Sequence, residues 1–173
     1  RLAQLGALGL LLLFDEGGNY RKCRTNTSCA AGTGSFLDQQ ALRLNLSGSE
    51  ELGELGAANT GALPRIASRC AVFAKTDLIH AQQEGYALSE ICDGICSGLA
   101  KNITDTLFGG EVVKGPIIAC GGVSKNAAVM EHIQQIIGED LAVDGMSRLY
   151  GAFGAAVRLS EVGPGEGVEI RSP

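Results

Sequence analysis

The sequence predicts an α/β domain, and three observations support this. Short apolar segments, such as "LGLLLLF" from Leu8 to Phe14, read as strands, whereas longer segments with apolar residues every three or four positions read as helices. Strands and helices alternate after an initial hairpin, which is typical of this class. Glycine-rich turns follow the strands, at the edge where sheets of this kind bind ligands.

The composition of the chain excludes some classes of function. The chain has 173 residues, 45% of them hydrophobic and 19% charged, so it can form a packed core. A net charge of −5 leaves no basic stripe for nucleic acid. The longest apolar run, Leu8 to Phe14, is too short to cross a bilayer. We therefore expect neither a nucleic-acid nor a membrane partner.

The first half predicts a hairpin followed by three helices. The strand Leu8 to Phe14 turns at the Gly-Gly pair of "DEGGNY", and residues 20–24 return as its partner. A helix starts at Thr33, and a short acidic helix follows, capped by Ser47 or Ser49. After the loop "TGALPRIASRC", a third helix runs through "KTDLIHAQQ" and ends at Gly85.

The second half predicts three helices and two short strands. The clearest helix, "LSEICDGICSGLAKNITDTLF", carries one apolar stripe that begins at Leu88. The strand in "PIIACGG" leads to the helix "NAAVMEHIQQII", which Gly138 closes. The strand "LAVD" and the helix "LYGAFGAAVRL" complete a domain of residues 1–160, and 161–173 form a mobile tail. Because the chain enters a strand almost at once, without an initiator Met, we expect a fragment.

Two of the six cysteines occupy settings suited to chemistry. Cys29, in "SCAAGTGSF", lies at or just before a helix N-terminus, where the helix dipole stabilises a thiolate for metal binding or nucleophilic attack. Cys70 has a comparable place, after a loop and before a helix. A lone cysteine in such a place is more often structural, but two in matched settings favour a shared role.

For the other four cysteines the sequence predicts a structural role and no chemistry. Cys92 and Cys96 lie one helical turn apart on the apolar stripe, which predicts core packing. Cys120 ends a buried strand and Cys23 belongs to the hairpin. With no targeting segment visible, reduced thiols in the cytoplasm are the better interpretation than a secreted disulfide scaffold.

Two glycine turns are candidates for phosphate or nucleotide binding. In "CGGVSKN", Gly121 and Gly122 allow a ligand to approach the backbone, and Asn126 can donate and accept hydrogen bonds at the start of the next helix. Spacing alone does not distinguish this from an ordinary strand-to-helix turn, and it is not a Walker loop because Asn126 follows Lys125. The turn Gly32 to Gly34 is the second candidate.

The two histidines give little support to other catalytic chemistry. His80 and His132 both lie in helix patterns, on what we predict to be polar faces, and neither adjoins a cysteine or serine motif. No Cys-x-x-Cys pair or cysteine–histidine spacing indicates zinc.

Several segments, in this order, carry a resemblance to a known family: "NTSCAAGTGSFLDQQALRL", "IASRCAVFAKTDLIHAQQEGY", "IIACGGVSKN" and "YGAFGAA". The chain resembles the ATPase activators of 2-hydroxyacyl-CoA dehydratases and the ATPase subunits of benzoyl-CoA reductases. This implies an α/β fold of the actin, sugar-kinase and acetate-kinase type, of which residues 1–160 would form only the C-terminal half.

The resemblance also implies a function. Such proteins are homodimers that hold one 4Fe–4S cluster between subunits, and the matching ligand positions here are Cys29 and Cys70. They couple binding and hydrolysis of Mg-ATP to transfer of a low-potential electron to a partner dehydratase or reductase. Two ligand cysteines per chain fit a bridging cluster. A cubane cluster needs four thiolates, and the two-fold axis of a dimer supplies the second pair.

The sequence departs from the family at the phosphate side of the pocket. A D-x-G-x-T-type phosphate loop and a D-I-G-G-type acidic turn are both absent, and "FDEGGNY" reads by position as the hairpin turn. We therefore expect this chain to hold the adenosine side of ATP, through Gly121, Gly122, Val123 and Asn126, and to hydrolyse ATP poorly. The alternatives are a cluster-free, sugar-kinase-like phosphotransferase using Gly32 to Gly34, or a non-catalytic interaction module.

Overall fold

Five strands form one sheet in the computed structural model, which describes residues 2–5, 9–25, 34–68, 70–110 and 115–162. The strands lie in the order β3-β2-β1-β4-β5. β1 pairs antiparallel with β2, β2 antiparallel with β3, and β4 runs parallel to both β1 and β5. Their bounds are β1 Leu2–Leu5, β2 Gly9–Phe14, β3 Tyr20–Thr25, β4 Ile117–Cys120 and β5 Leu141–Ala142.

The predicted hairpin is confirmed, and a strand that the sequence analysis missed precedes it. The Asp15 carboxylate closes the hairpin turn by accepting the Asn19 backbone N–H at 2.9 Å, and Gly18 takes a φ of 79° there. β1 pairs with β2 on one side and with β4 on the other, so it joins the hairpin to the parallel half of the sheet. Four residues at the chain start were too few for a strand pattern to be recognised.

All six predicted helices are present. α4 continues into a π-helical turn, Thr104–Phe108, which Gly109 ends with a φ of 59°. α6 extends two residues past the predicted boundary at 160, and residues 163–173 of the predicted tail lie outside the described ranges. The helices are α1 Gly34–Arg43, α2 Ser49–Ala57, α3 Ala71–Gln83, α4 Leu88–Ile103, α5 Ala127–Ile137 and α6 Tyr150–Val162.

The predicted serine cap of α2 is wrong. Gly48 occupies the cap position without a side-chain hydrogen bond, and Ser49 is the first helical residue. Ser47 bonds to the helix differently: its backbone N–H and Oγ both donate to Oε2 of Glu51, at 2.6 and 2.8 Å. The Ser47 N–H bond, with help from the hydroxyl, lowers the pKa of Glu51. The Glu51 carboxylate thus bonds to the residue before the cap position, and no side chain caps the helix.

The core is built around α4, which packs between α2 and α5. The predicted stripe is buried from Ile91 onward, whereas Leu88 at its start is 43% exposed. Burial raises the pKa of Cys92 to about 11 and that of Cys96 to about 12, so both stay neutral thiols at neutral pH. This confirms that the two cysteines are core residues.

Arg24 ties the sheet to the end of the central helix. Its guanidinium donates to the carbonyl oxygens of Phe108 at 2.8 Å and Leu107 at 3.3 Å, in the π-helical turn after α4. These carbonyls lie among the last of a helix, where a cation is favourable. Within the described ranges, no helix is long and apolar enough to cross a membrane.

Candidate functional site

The turn between β4 and α5 has a rigid backbone. Gly121 takes a φ of 95°, which favours glycine, and its N–H donates to the Ser147 carbonyl at 3.0 Å. The Ser124 hydroxyl, which is buried, lies 2.7 Å from the Gly121 carbonyl and 3.0 Å from the Ser147 hydroxyl. The turn is therefore fixed against the segment that follows β5.

Asn126, which the sequence placed at the start of α5, caps this helix. Its Oδ1 accepts the Val129 N–H at 3.0 Å, and the Cys96 thiol approaches the same oxygen at 3.8 Å. Its Nδ2 is buried with no hydrogen-bond partner among the described residues. An ideal Cβ on Gly53 would lie 2.7 Å from that nitrogen, so the lack of a side chain at Gly53 lets α2 approach Asn126.

A cavity of about 730 Å³ opens beside this turn. Its size is that of a small-molecule site. Three regions meet around it: the start of α1, one face of α2, and the β4–α5 turn with Arg148. The lining residues are Gly34, Ser35, Leu37, Asp38, Ser49, Glu50, Gly53, Glu54, Ala57, Gly122, Val123, Lys125, Asn126, Ala127 and Arg148.

Charge is divided across the cavity. Asp38 of α1 and the Glu50 and Glu54 pair of α2 provide carboxylates, which accept hydrogen bonds from hydroxyl and amino groups. Lys125 and Arg148 provide cations, which bind phosphate. A ligand with both hydroxyl and phosphate groups, such as a nucleotide, matches this division.

The predicted nucleotide residues fall on this cavity with one exception. Gly122, Val123 and Asn126 line it, whereas Gly121 shapes the turn without being part of the lining. Gly34 lines it as well, and an ideal Cβ there would lie 3.6 Å from the Val123 side chain. Gly34, the one described residue of the second candidate turn, thus lies on the same cavity as Gly122.

Sequence reasoning missed the contribution of α2. The available signal was the spacing of Gly53 and Gly56, which lie three residues apart, with Glu51 before the pair and Glu54 between its members. In a short helix such a pair indicates close packing against a neighbour. Lys125 and Arg148 could be found only by knowing that their segments converge.

We expect Gly122→Val to block ligand binding without unfolding the domain. Gly122 is exposed and lines the cavity, and an ideal Cβ there meets nothing within 4 Å, so a valine would fit without a clash and reduce the space at this edge of the cavity. Affinity for Mg-ADP, measured by calorimetry, should fall at least about tenfold, while the melting temperature stays within about 2 °C. Unchanged affinity would mean that the ligand does not approach this turn. Gly154→Val, at an exposed glycine of α6 outside the lining, is the matched control.

Cys70 lies at the N-terminal cap of α3, as predicted. Its backbone is extended, with φ −141° and ψ 119°, and its half-buried thiol makes no capping bond. The neighbouring Val72 and Phe73 are 70% and 66% exposed, which places a bare apolar surface beside the thiol. Cys29 and Gly32 lie outside the described residues. Within the described ranges, no three His, Cys, Asp or Glu side chains form a metal-binding group.

Two glycines of α4 position the loop that leads to Cys70. Ideal Cβ atoms on Gly94 and Gly98 would lie 2.5 Å from the carbonyl oxygens of Pro64 and Ile66, respectively. The Asp77 carboxylate of α3 accepts the Ala67 N–H at 2.8 Å and holds the same loop from the other side. The loop is therefore in direct contact with both helices.

Comparison with known proteins shows which family this chain belongs to. The BadF/BadG/BcrA/BcrD ATPase family matches residues 6–158. The chain belongs to this family. A similar relative is the activator of lactoyl-CoA dehydratase from Anaerotignum propionicum, 32% identical over 85% of this chain and 56% of the relative. A subunit of the benzoyl-CoA reductase from Thauera aromatica is 29% identical over 88% of this chain and 56% of its own length.

Solved structures of the family show the fold. The Acidaminococcus fermentans (R)-2-hydroxyglutaryl-CoA dehydratase component A superposes with a TM-score of 0.82 at 28% identity, covering 91% of this chain and 60% of that one. The predicted α/β fold of the actin and sugar-kinase type is thus confirmed. The chain spans about half the length of the curated relatives that it matches.

Proposed function

We propose that this chain is the cluster-holding and adenosine-binding part of an ATP-dependent activator that passes a low-potential electron to a 2-hydroxyacyl-CoA dehydratase or a related reductase. The observation that carries the proposal is the cavity at the β4–α5 turn in a chain of this ATPase family. The relatives, a dehydratase activator and a component of benzoyl-CoA reductase, supply the partner class. We assign the protein to the cytoplasm, where such thiols stay reduced.

In the nucleotide part of the proposal, ADP or Mg-ATP occupies this cavity. Gly122 offers an open backbone surface, and the start of α5 presents free N–H groups to an anion. Lys125 and Arg148 face the phosphates, and the Glu50 and Glu54 carboxylates suit the ribose hydroxyls. No acidic phosphate turn of the family type occurs in the sequence, so we expect this chain to bind nucleotide and hydrolyse it slowly.

In the cluster part of the proposal, Cys70 and Cys29 of two copies hold one 4Fe–4S cluster. Cys70 fits such a ligand, because its thiol makes no capping bond and lies at the N-terminal end of a 13-residue helix. That end favours an anionic thiolate. The exposed Val72 and Phe73 beside it suit burial against a second copy. When bound, the cluster would supply the one-electron chemistry.

The proposed domain limits follow the sequence analysis. Residues 1–160 form the ATPase-type unit with both motifs, and 161–173 form the tail. The last described helix, α6, ends at Val162.

Anaerobic reconstitution tests the cluster part. The chain incubated with ferrous iron and sulfide should turn brown, bind about two iron atoms per chain and sediment as a dimer. A colourless protein without iron would contradict the assignment of Cys29 and Cys70. A cluster-bearing monomer would overturn the two-subunit bridge. Phosphorylation of a small hydroxylated substrate would instead favour the sugar-kinase-like alternative.

A further inference from the structure

The carboxylate of Asp93, in the middle of α4, joins two other elements. Its Oδ1 lies 2.7 Å from Nε2 of His132 on α5, and its Oδ2 accepts the Asn59 side-chain amide at 2.9 Å. Asn59 lies just after α2. One carboxylate of the central helix is thus shared between the helices on its two sides.

This contact is largely withdrawn from solvent. The side chains of Asp93 and His132 are 15% and 14% exposed. Hydrogen bonds to a charged group are worth more than neutral ones, and removing one partner of a buried bond leaves the other unsatisfied. His132 was predicted to lie on a polar helix face, but its side chain is mostly buried against Asp93, 39 positions away in the sequence.

Both ends of the bridge continue into the walls of the cavity. Asn59 follows two residues after Ala57, the last residue of α2 that lines the cavity. His132 belongs to α5, whose start, at Asn126 and Ala127, also lines the cavity. A displacement of Asn59 or His132 would therefore shift residues that line the cavity.

α2 packs into the core through Leu52, but it approaches Asp93 and Asn126 at two glycines, which have no side chains. An ideal Cβ on Gly56 would lie 3.3 Å from the backbone of Asp93, and one on Gly53 would lie 2.7 Å from the side chain of Asn126. Glycine gives close approach but little side-chain packing to hold the helix there. The Asn59 amide also donates to the Ala62 carbonyl at 3.2 Å, and its Oδ1 accepts the Gly61 N–H at 2.9 Å. The bridge thus fixes both α2 and the loop after it.

We propose that Asn59, Asp93 and His132 are positioning residues that hold α2 against α5 and so set the shape of the cavity that both helices line and its affinity for an adenosine nucleotide. This rests on the proposed function for the identity of the ligand. The bridge itself is a property of the fold and can be measured without any ligand.

The test compares two substitutions of one histidine. His132→Ala removes the donor to Asp93, whereas His132→Gln places an amide nitrogen near the position of Nε2 and keeps a donor. His132→Ala should weaken Mg-ADP binding about tenfold by calorimetry and speed amide hydrogen exchange in residues 49–57 by a similar factor. His132→Gln should restore both to within about threefold of the unmodified chain. His80→Ala, at an exposed histidine of α3, is the control and should change neither.

A double-mutant cycle distinguishes a bridge from two independent contacts. If Asp93 links the two walls, Asn59→Ala combined with His132→Ala should weaken Mg-ADP binding no more than the stronger single change. Effects that multiply would overturn the proposal, and so would unaltered exchange in residues 49–57 for His132→Ala. If the unmodified chain binds no Mg-ADP, the proposed nucleotide site fails, and the exchange measurement still decides whether the bridge holds α2.

Discussion

Cys70→Ser is expected to abolish iron binding by the reconstituted protein. A hydroxyl is a poor ligand for an iron–sulfur cluster, which is held by thiolates. The change should not unfold the domain, because Cys70 occupies a helix cap position where serine is among the preferred residues and its thiol makes no capping bond. Iron content and visible absorbance after anaerobic reconstitution should fall to background, with an unchanged or slightly higher melting temperature.

Cys23→Ser is the matched control for this experiment. Cys23 is an exposed cysteine on β3, and we assign it no ligand role. It should keep the iron content of the unmodified protein. If Cys70→Ser also keeps it, Cys70 is not a ligand, whatever the outcome for the nucleotide site.

Gly98→Ala is expected to cause the largest loss of stability. The new Cβ would lie 2.5 Å from the carbonyl oxygen of Ile66, which is backbone and cannot move aside without shifting the loop. Forcing extra volume into a packed contact costs about 1–3 kcal/mol, and we expect the upper end here, because backbone rather than a flexible side chain must yield. Denaturant unfolding followed by circular dichroism measures the change.

A helix glycine with open surroundings supplies the control. Gly154 lies in α6 with nothing within 4 Å of an ideal Cβ, so Gly154→Ala should stabilise the protein by up to about 1 kcal/mol through helix propensity. If Gly98→Ala matches this gain, α4 and the loop before Cys70 are not in the close contact described. In that case the loop would also not be positioned by α4.

Local patterns predicted most of the elements correctly. The hairpin was recognised from its Gly-Gly turn, and the end of α5 from Gly138, which takes the expected left-handed φ of 71°. Asn126 was recognised as a polar residue at a helix start and caps α5 through Val129. Each of these features depends on residues within a few positions of one another, so a short stretch of sequence is enough to predict it.

Residues distant in sequence account for the misses. β1 forms because both β2 and β4 pair with its four residues, which a local pattern does not reveal. The serine cap of α2 is an exception with a local cause: Gly48 takes the cap position, and the Ser47 hydroxyl donates to Glu51, four residues away. His132 looked solvated because its partner, Asp93, belongs to another helix.

The sequence by itself determined the α/β class, the order of most elements, the family motifs and the two cysteines in ligand-like settings, because periodicity, turn chemistry and motif order are carried by neighbouring residues. Only the tertiary structure decided that the start of α1, one face of α2, the β4–α5 turn and Arg148 surround one cavity. It also decided that α2 approaches Asp93 and Asn126 through Gly56 and Gly53. Such approaches depend on which backbones pack without an intervening side chain, and that is settled by long-range packing rather than by local propensity.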